Sequence, residues 1–389
     1  MADLATMVPD YVLAGVLRLL APRGLAASRC VCKAWRRVID DRRLLRSDLL
    51  PRSLGGIFLN YLDLWFTQLL SRPTTGTAIS GRLDYTVPGE PDLMPPIHVR
   101  DHCNGLLLLH HCVVNPATQQ WAPLPPAPDL PQPPPPGMIS FAREHLVFDP
   151  TLSPNYFEVL IVPDVPSKNN DDCEEEAEWP PSTLILPMFS SKSESWEEGH
   201  LVGKGRLQGQ YHCQTGFHLQ VWFLNDPCLH GQTEWVLKHD RDIFSILPNL
   251  NYDKQRDGPW ILQEFRYWAN KDAADDSPIV YNSEATVEQK FVWDCDNDNV
   301  LKPGGRINDC CIIFLGFHPY KEVVFLSDKF DRVLAYNWSS SKLQDLGKVF
   351  SKFYTDPESD FYHRYVQESF PYTPCWLGEL PEKVNLEAH

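Results

Sequence analysis

Ten short apolar runs lie between residues 57 and 338, and one stretch of a different rhythm precedes them. In that first stretch Val12, Leu13, Val16, Leu17 and Leu20 recur at three- and four-residue spacing, the mark of one helix face. Pro9 suits a first helical position and Asp10 the first turn. Ala21-Pro22 is expected to end this helix, because the residue before proline is pushed out of the α region. A second short helix is expected over about residues 24–31. A third carries Val31, Trp35, Val38 and Ile39 on one face. Three helices within residues 8–46 enclose a very small core, and such a unit needs a partner to cover it.

After Leu50-Pro51 the pattern changes. Ile57-Phe58-Leu59, residues 105–109, Val113-Val114, residues 157–162, Leu184-Ile185-Leu186, residues 219–224, Trp235-Val236-Leu237, and residues 312–317, 322–326 and 333–338 are short apolar runs. Each is bounded by Pro, Gly, Asn or Asp, the strand-and-turn signature. Many short strands predict a sandwich, barrel or propeller. The length is too great for one sandwich and suits six or seven propeller blades of roughly 40–50 residues each, although no clean internal repeat is visible. Two segments carry no such pattern. APLPPAPDLPQPPPPG (122–137) reads as a polyproline-like loop, either a stiff connector or a ligand for an SH3- or WW-type domain. NNDDCEEEAE (169–178) reads as an acidic solvated loop.

Composition supports the all-β reading of the larger part. The 35 prolines are excluded from helix interiors and central strands and so imply many turns. Charge divides the chain. Ten Lys and Arg against five Asp through Arg52 give that stretch +5, and the net −16 leaves −21 for the rest. This break predicts a separate N-terminal module, with domains at 1–50 and 51–389. An acidic body argues against nucleic acid as a partner of the whole protein. Eleven cysteines without a disulfide rhythm, no signal-like start and no apolar run of about 18 residues predict a reduced protein of the cytoplasm or nucleus, with no membrane partner. The Asn337-Trp338-Ser339 sequon is then a chance match.

Several groups resemble chemical sites and are read otherwise. His102, Cys103, His110, His111 and Cys112 lack the paired spacing of structural zinc, and the strand at 106–109 would send their side chains to opposite faces. Asp294, Asp296 and Asp298 fit the start of a calcium loop, but Asn299 and Gly305 stand where Gly and a bidentate Glu are required. A turn capped by Asx side chains is expected there. Cys310-Cys311 read as buried small hydrophobes. No G-x-S-x-G elbow or phosphate-binding Gly loop occurs. Trp121, Trp222, Trp235, Trp293 and Trp338 adjoin strand-like runs and are expected in the β core rather than on a sugar platform. No catalytic residue, metal or cofactor is expected.

VPDYVLAGVLRLLAPRGLAASRCVCKAWRRVIDD (8–41) resembles an F-box, with an apolar-Pro start, an amphipathic helix, a Pro-containing turn and a Cys-Val-Cys-Lys-Ala-Trp core. Val8-Pro9 stands where such domains usually have Leu-Pro. HCNGLLLL (102–109), VVNPATQQWAPLPP (113–126), FDPTLSPNYFEVLIVP (148–163), EWVLKHD (234–240), FLGFHPYKEVVFL (314–326) and SFPYTPCWL (369–377) resemble the F-box-associated region of plant F-box proteins, especially the large grass group. The resemblance implies a small all-α F-box of three helices followed by a large all-β domain, β-propeller-like and of the kelch or F-box-associated type. Between about His200 and Val221 the sequence is shorter than in longer members by one or two hairpins, which implies an incomplete propeller.

The implied role is substrate recognition in an SCF-type cullin-RING ubiquitin ligase. The F-box would bind a Skp-type adaptor, and through it the cullin and RING subunits, while the β-domain binds a target protein. The expected adaptor-binding residues are Val8, Pro9, Leu13, Val16, Leu17, Leu20, Leu25, Val31, Lys33 and Trp35, with Arg29, Lys33, Arg36 and Arg37 steering encounter with an acidic adaptor. For Trp35 a place in the core and a place at the interface are equally expected. The alternatives are a propeller enzyme or lectin-like small-ligand binder with a helical N-terminal cap, and a nucleic-acid binder using residues 29–46.

Overall fold

A computed structural model describes residues 9–20, 25, 28, 32–42, 44, 53–62, 64, 66–73, 79–86, 97–129, 142–163, 183–202, 218–225, 234–247, 258–263, 294, 298–304, 312–328, 332–349, 366–376 and 380. Structural statements below concern these residues. Two helices come first, α1 (Asp10–Leu17) and α2 (Lys33–Asp41). The middle helix expected near residues 24–31 lies outside the described residues apart from Leu25 and Ser28.

The strands in chain order are β1 (Gly56–Tyr61), β2 (Gln68–Ser71), β3 (Asp101–Cys103), β4 (Leu106–Leu108), β5 (Cys112–Asn115), β6 (Gln120–Pro123), β7 (Ala142–Val147), β8 (Glu158–Pro163), β9 (Thr183–Ser190), β10 (Ser195–Val202), β11 (His218–Asn225), β12 (Glu234–Asp242), β13 (Ile261–Gln263), β14 (Ile312–Phe317), β15 (Val323–Asp328), β16 (Arg332–Asn337), β17 (Lys342–Lys348) and β18 (Val366–Tyr372). All ten apolar runs of the sequence fall on strands.

These strands form five antiparallel sheets. The second (β3–β6), third (β7–β10), fourth (β11–β12) and fifth (β14–β17) are each made of consecutive strands. The first sheet, ordered β13-β2-β1-β18, is assembled from distant parts of the chain, with Gly56 opposite Tyr372 at one end of the β1–β18 ladder. Five sheets are formed among the described residues, against an expectation of six or seven blades for the chain, and the stretch that looked compressed is outside the described residues over 203–217.

The central strands explain the unbroken apolar runs. On β4, Leu107 enters the core shared with the first sheet, and Leu106 and Leu108 enter the core shared with the third. On β15, Val323 and Phe325 face the first sheet, while Val324 and Leu326 face the fourth. A strand buried on both faces has no polar side to alternate with. The cores therefore link the sheets in the series third, second, first, fifth, fourth. No core among the described residues joins the third sheet to the fourth, so no closed propeller is seen.

Edge strands of neighbouring sheets meet, β14 against β18, β18 against β3, and β3 against β7. Polar pins tie them together. Asp101 Oδ2 accepts from the Leu146 amide at 2.9 Å, joining β3 to β7. Ser369 Oγ donates to Leu315 O at 2.7 Å, joining β18 to β14. Asn60 on β1 donates to Val99 O at 2.7 Å and accepts from Val99 N at 3.2 Å, satisfying a buried backbone segment as another strand would.

HCNGLLLL folds as a tight hairpin. Asn104 and Gly105 between β3 and β4 both have positive φ, 48° and 90°, as a two-residue type I′ turn requires. A side chain at Gly105 would strike the Cys375 backbone nitrogen, 2.5 Å from an ideal Cβ. The turn thus admits the segment following β18, and Asn115 Nδ2 holds it at 3.0 Å through Cys375 O.

The proline-rich segment leaves β6 at the outer edge of the second sheet. Leu124 packs into the core shared with the third sheet, and the Trp196 indole N–H on β10 donates to Pro125 O at 3.2 Å. Residues 124–129 have no helix or strand structure, and Pro125 to Asp129 are exposed.

Of the tryptophans expected in the core, Trp338 is buried and Trp121 packs against the core between first and second sheets. Trp222 is a correction. It lies on the face of β11 opposite the buried Val221, 40% exposed, where its indole N–H donates to Gln220. Trp293 and the side chain of Trp235 are outside the described residues, as are Cys310, Cys311, Asp296 and residues 169–178.

Candidate docking face on the helical head

Pro9 caps α1 from an extended conformation, and its carbonyl accepts from the amides of Val12 (2.9 Å) and Leu13 (3.1 Å). Asp10 sits in the first turn, where the helix dipole favours an acid, and pairs with Arg37 of α2 at 3.1 Å. The helix ends at Leu17, earlier than the apolar spacing through Leu20 implied. Leu19 N bonds Val16 O and Leu20 N bonds Leu17 O, so the chain tightens into i→i+3 turns ahead of Ala21-Pro22.

Helix α1 has two apolar faces. Leu13, Ala14 and Leu17 are buried with Leu25, Val38, Ile39 and Leu44 in a core of the head's own, against which Trp35 packs half-buried. On the other side Val12, Val16, Leu19 and Leu20 follow at three- and four-residue spacing beside Tyr11. Tyr11 is 70% exposed, Val16 56% and Leu19 85%, whereas Leu17 is 1% exposed. A helix apolar all round belongs between two bodies. Here one body is the head itself.

This divides the expected adaptor-binding residues. Val16 and Leu20 lie on the exposed stripe, and Pro9 is exposed at its start. Leu13, Leu17 and Leu25 are spent on the head's interior. Trp35 joins the core with part of its surface free. Val8, Val31 and the Lys33 side chain are outside the described residues, as is Arg29. Tyr11 and Leu19 also lie exposed on the stripe side of α1 and were not among the expected residues. Counting apolar positions on every side of α1, rather than on its best face, would have found them. Of the cations expected to steer encounter, Arg37 forms an exposed ion pair with Asp10, which contributes little stability and leaves both groups at the surface.

The stripe is suited to association rather than chemistry. Among the described residues no group of three or more His, Cys, Asp or Glu side chains is placed to share a metal ion. Cys112 is buried on β5, its thiol pushed up to about 12 by burial, and burial also raises the Cys103 thiol. At the acidic turn Asp298 Oδ2 accepts from Asp294 N at 2.7 Å. Gln344 Nε2 then clips both backbone carbonyls. No described helix is long and apolar enough to cross a membrane.

No curated protein and no solved structure matches the chain. Residues 7–47 match the F-box domain family, so the two helices and their exposed stripe belong to an F-box domain at the start of this chain.

Proposed function

We propose that the chain is a substrate-recognition subunit of an SCF-type cullin-RING ubiquitin ligase. An F-box domain fits such a subunit in general, and F-box domains bind Skp-type adaptors. The observation that carries the reading is the apolar stripe Val12, Val16, Leu19 and Leu20, left bare by a head that has already buried Leu13 and Leu17. A Skp-type adaptor would cover it, each large side chain contributing on the order of 1–2 kcal/mol on burial. The cullin and RING subunits would join through that adaptor.

The remaining β-rich part would hold the target. Its resemblance to the F-box-associated region of plant proteins, and its face-to-face sheets with meeting edge strands, support a propeller-like receptor domain. Catalysis would belong to the partner enzymes. This chain would raise the effective concentration of a target lysine near the ubiquitin-loaded enzyme, acting in the cytoplasm or nucleus.

Co-expression with a Skp-type adaptor tests the reading. The wild-type chain is expected to co-elute with the adaptor. Val16→Asp, which places a charge at the centre of the stripe without touching the core, is expected to abolish co-elution and leave the thermal melt unchanged. Full co-elution of Val16→Asp would overturn the assignment.

A further inference from the structure

We propose that the strap Pro123–Asp129 is a docking peptide for a separate protein domain that reads polyproline helices through an aromatic groove with no acidic pocket. The inference is independent of the adaptor and of target capture by the β-domain.

Four of the strap's seven residues are proline, at 123, 125, 126 and 128, which fixes φ near −65° and removes the amide donors. Such a segment favours the three-residue-per-turn polyproline helix, whose carbonyls remain free. Pro123 is still paired with Cys112 at the end of β6, and beyond it Pro125 and Pro128 fall on a common edge, giving one Pro-x-x-Pro ridge outside the sheet. The anchorage is one-sided. Leu124 is held by the core and Pro125 O by the Trp196 indole, while Pro125, Pro126, Ala127, Pro128 and Asp129 face solvent. An indole N–H on a proline carbonyl beside a packed aromatic pair (Trp196 and Phe189, ring centres 5.6 Å apart) is the contact an aromatic groove makes with a polyproline ligand. The third sheet therefore grips one side of the strap and offers the other.

Location and charge narrow the partner. β6 and β10 are the outer edge strands of their sheets, so the strap crosses the rim, away from where β3, β7, β14 and β18 meet. A proline-rich strap has few conformations to lose and gives up little entropy on docking. Asp129 is the only charged residue in 122–137. A domain that reads a flanking Lys or Arg through an acidic pocket finds no cation here, whereas an uncharged aromatic groove is fully served.

The test passes the full-length chain, co-purified with its adaptor, over an immobilised WW domain that reads uncharged proline runs and over an SH3 domain that requires a flanking cation. Retention by the WW domain alone is expected. Pro125→Ala/Pro128→Ala should lower that retention about tenfold or more and leave adaptor co-purification unchanged. A synthetic peptide of residues 122–129 should displace the wild-type chain, an arm that does not depend on the variant folding. No retention on the WW domain, preferential retention by the SH3 domain, equal retention of the variant, or failure of the peptide to compete would each overturn the proposal.

Discussion

Val16 and Leu17 are neighbours on α1 with opposite duties, one 56% exposed and the other 1%. Leu17 closes a core of only a few side chains, which leaves the head marginal. Leu17→Ala is expected to cost about 2–5 kcal/mol, comparable to the head's whole stability. Hydrogen exchange should show α1 and α2 losing protection while β1, β15 and β16 keep theirs. A Leu17 variant therefore fails by unfolding the head, and Val16→Asp isolates docking. Histidine burial sets the response to acid. The His102 pKa is lowered by burial, partly offset by the Asp101 charge, and its ring stands edge-on to Phe370 of β18 at 5.6 Å. Burial likewise lowers His111 and His239. The unfolded chain takes up these protons first, near an ordinary value of about 6.5. Stability from these groups is thus complete above that pH and declines as pH falls toward the lowered folded values. Melting temperature should be level above about pH 7 and fall below about 6.5, less steeply in His102→Gln.

At the scale of elements, legibility in the sequence followed the number of buried faces. Seven of the ten apolar runs marked β1, β4, β5, β8, β9, β15 and β16, which lie inside their sheets. The other three marked β11, β12 and β14, which are edge strands and so depart from this trend. Edge strands such as β7, β10 and β17 were not marked, because their exposed positions carry Arg143, Glu197, Glu198 and Lys342 and break the run. β2 is the interior exception, four residues long with Gln68 buried rather than apolar. α1 was legible as a helix. Its far end was not, because the i→i+3 turns at Leu19 and Leu20 continue the apolar spacing after the helix has stopped. The exposed stripe was half legible. Val16 and Leu20 emerged from periodicity, but periodicity alone cannot say which of two apolar faces a small core will use.

Over the whole molecule, the pairing of β18 with β1 matters most. Val366 enters the core shared with the fifth sheet, and Phe370 and Tyr372 enter the core shared with the second. Ending the chain before Val366 strips one ladder from β1 and opens both cores. This truncation is expected to abolish the cooperative melt of the β-rich part, measured by calorimetry, while the adaptor is still retained by the F-box. Synthesis on the ribosome proceeds from the N-terminus, and early domains fold first. The F-box helices are thus complete long before the β-rich part, which waits for residues 366–372 to emerge and meet a strand made some three hundred residues earlier. Under the proposed function, any premature stop in that interval would yield a polypeptide able to occupy ligase scaffolds while holding nothing to be tagged, a poison subunit whose harm would grow with its abundance.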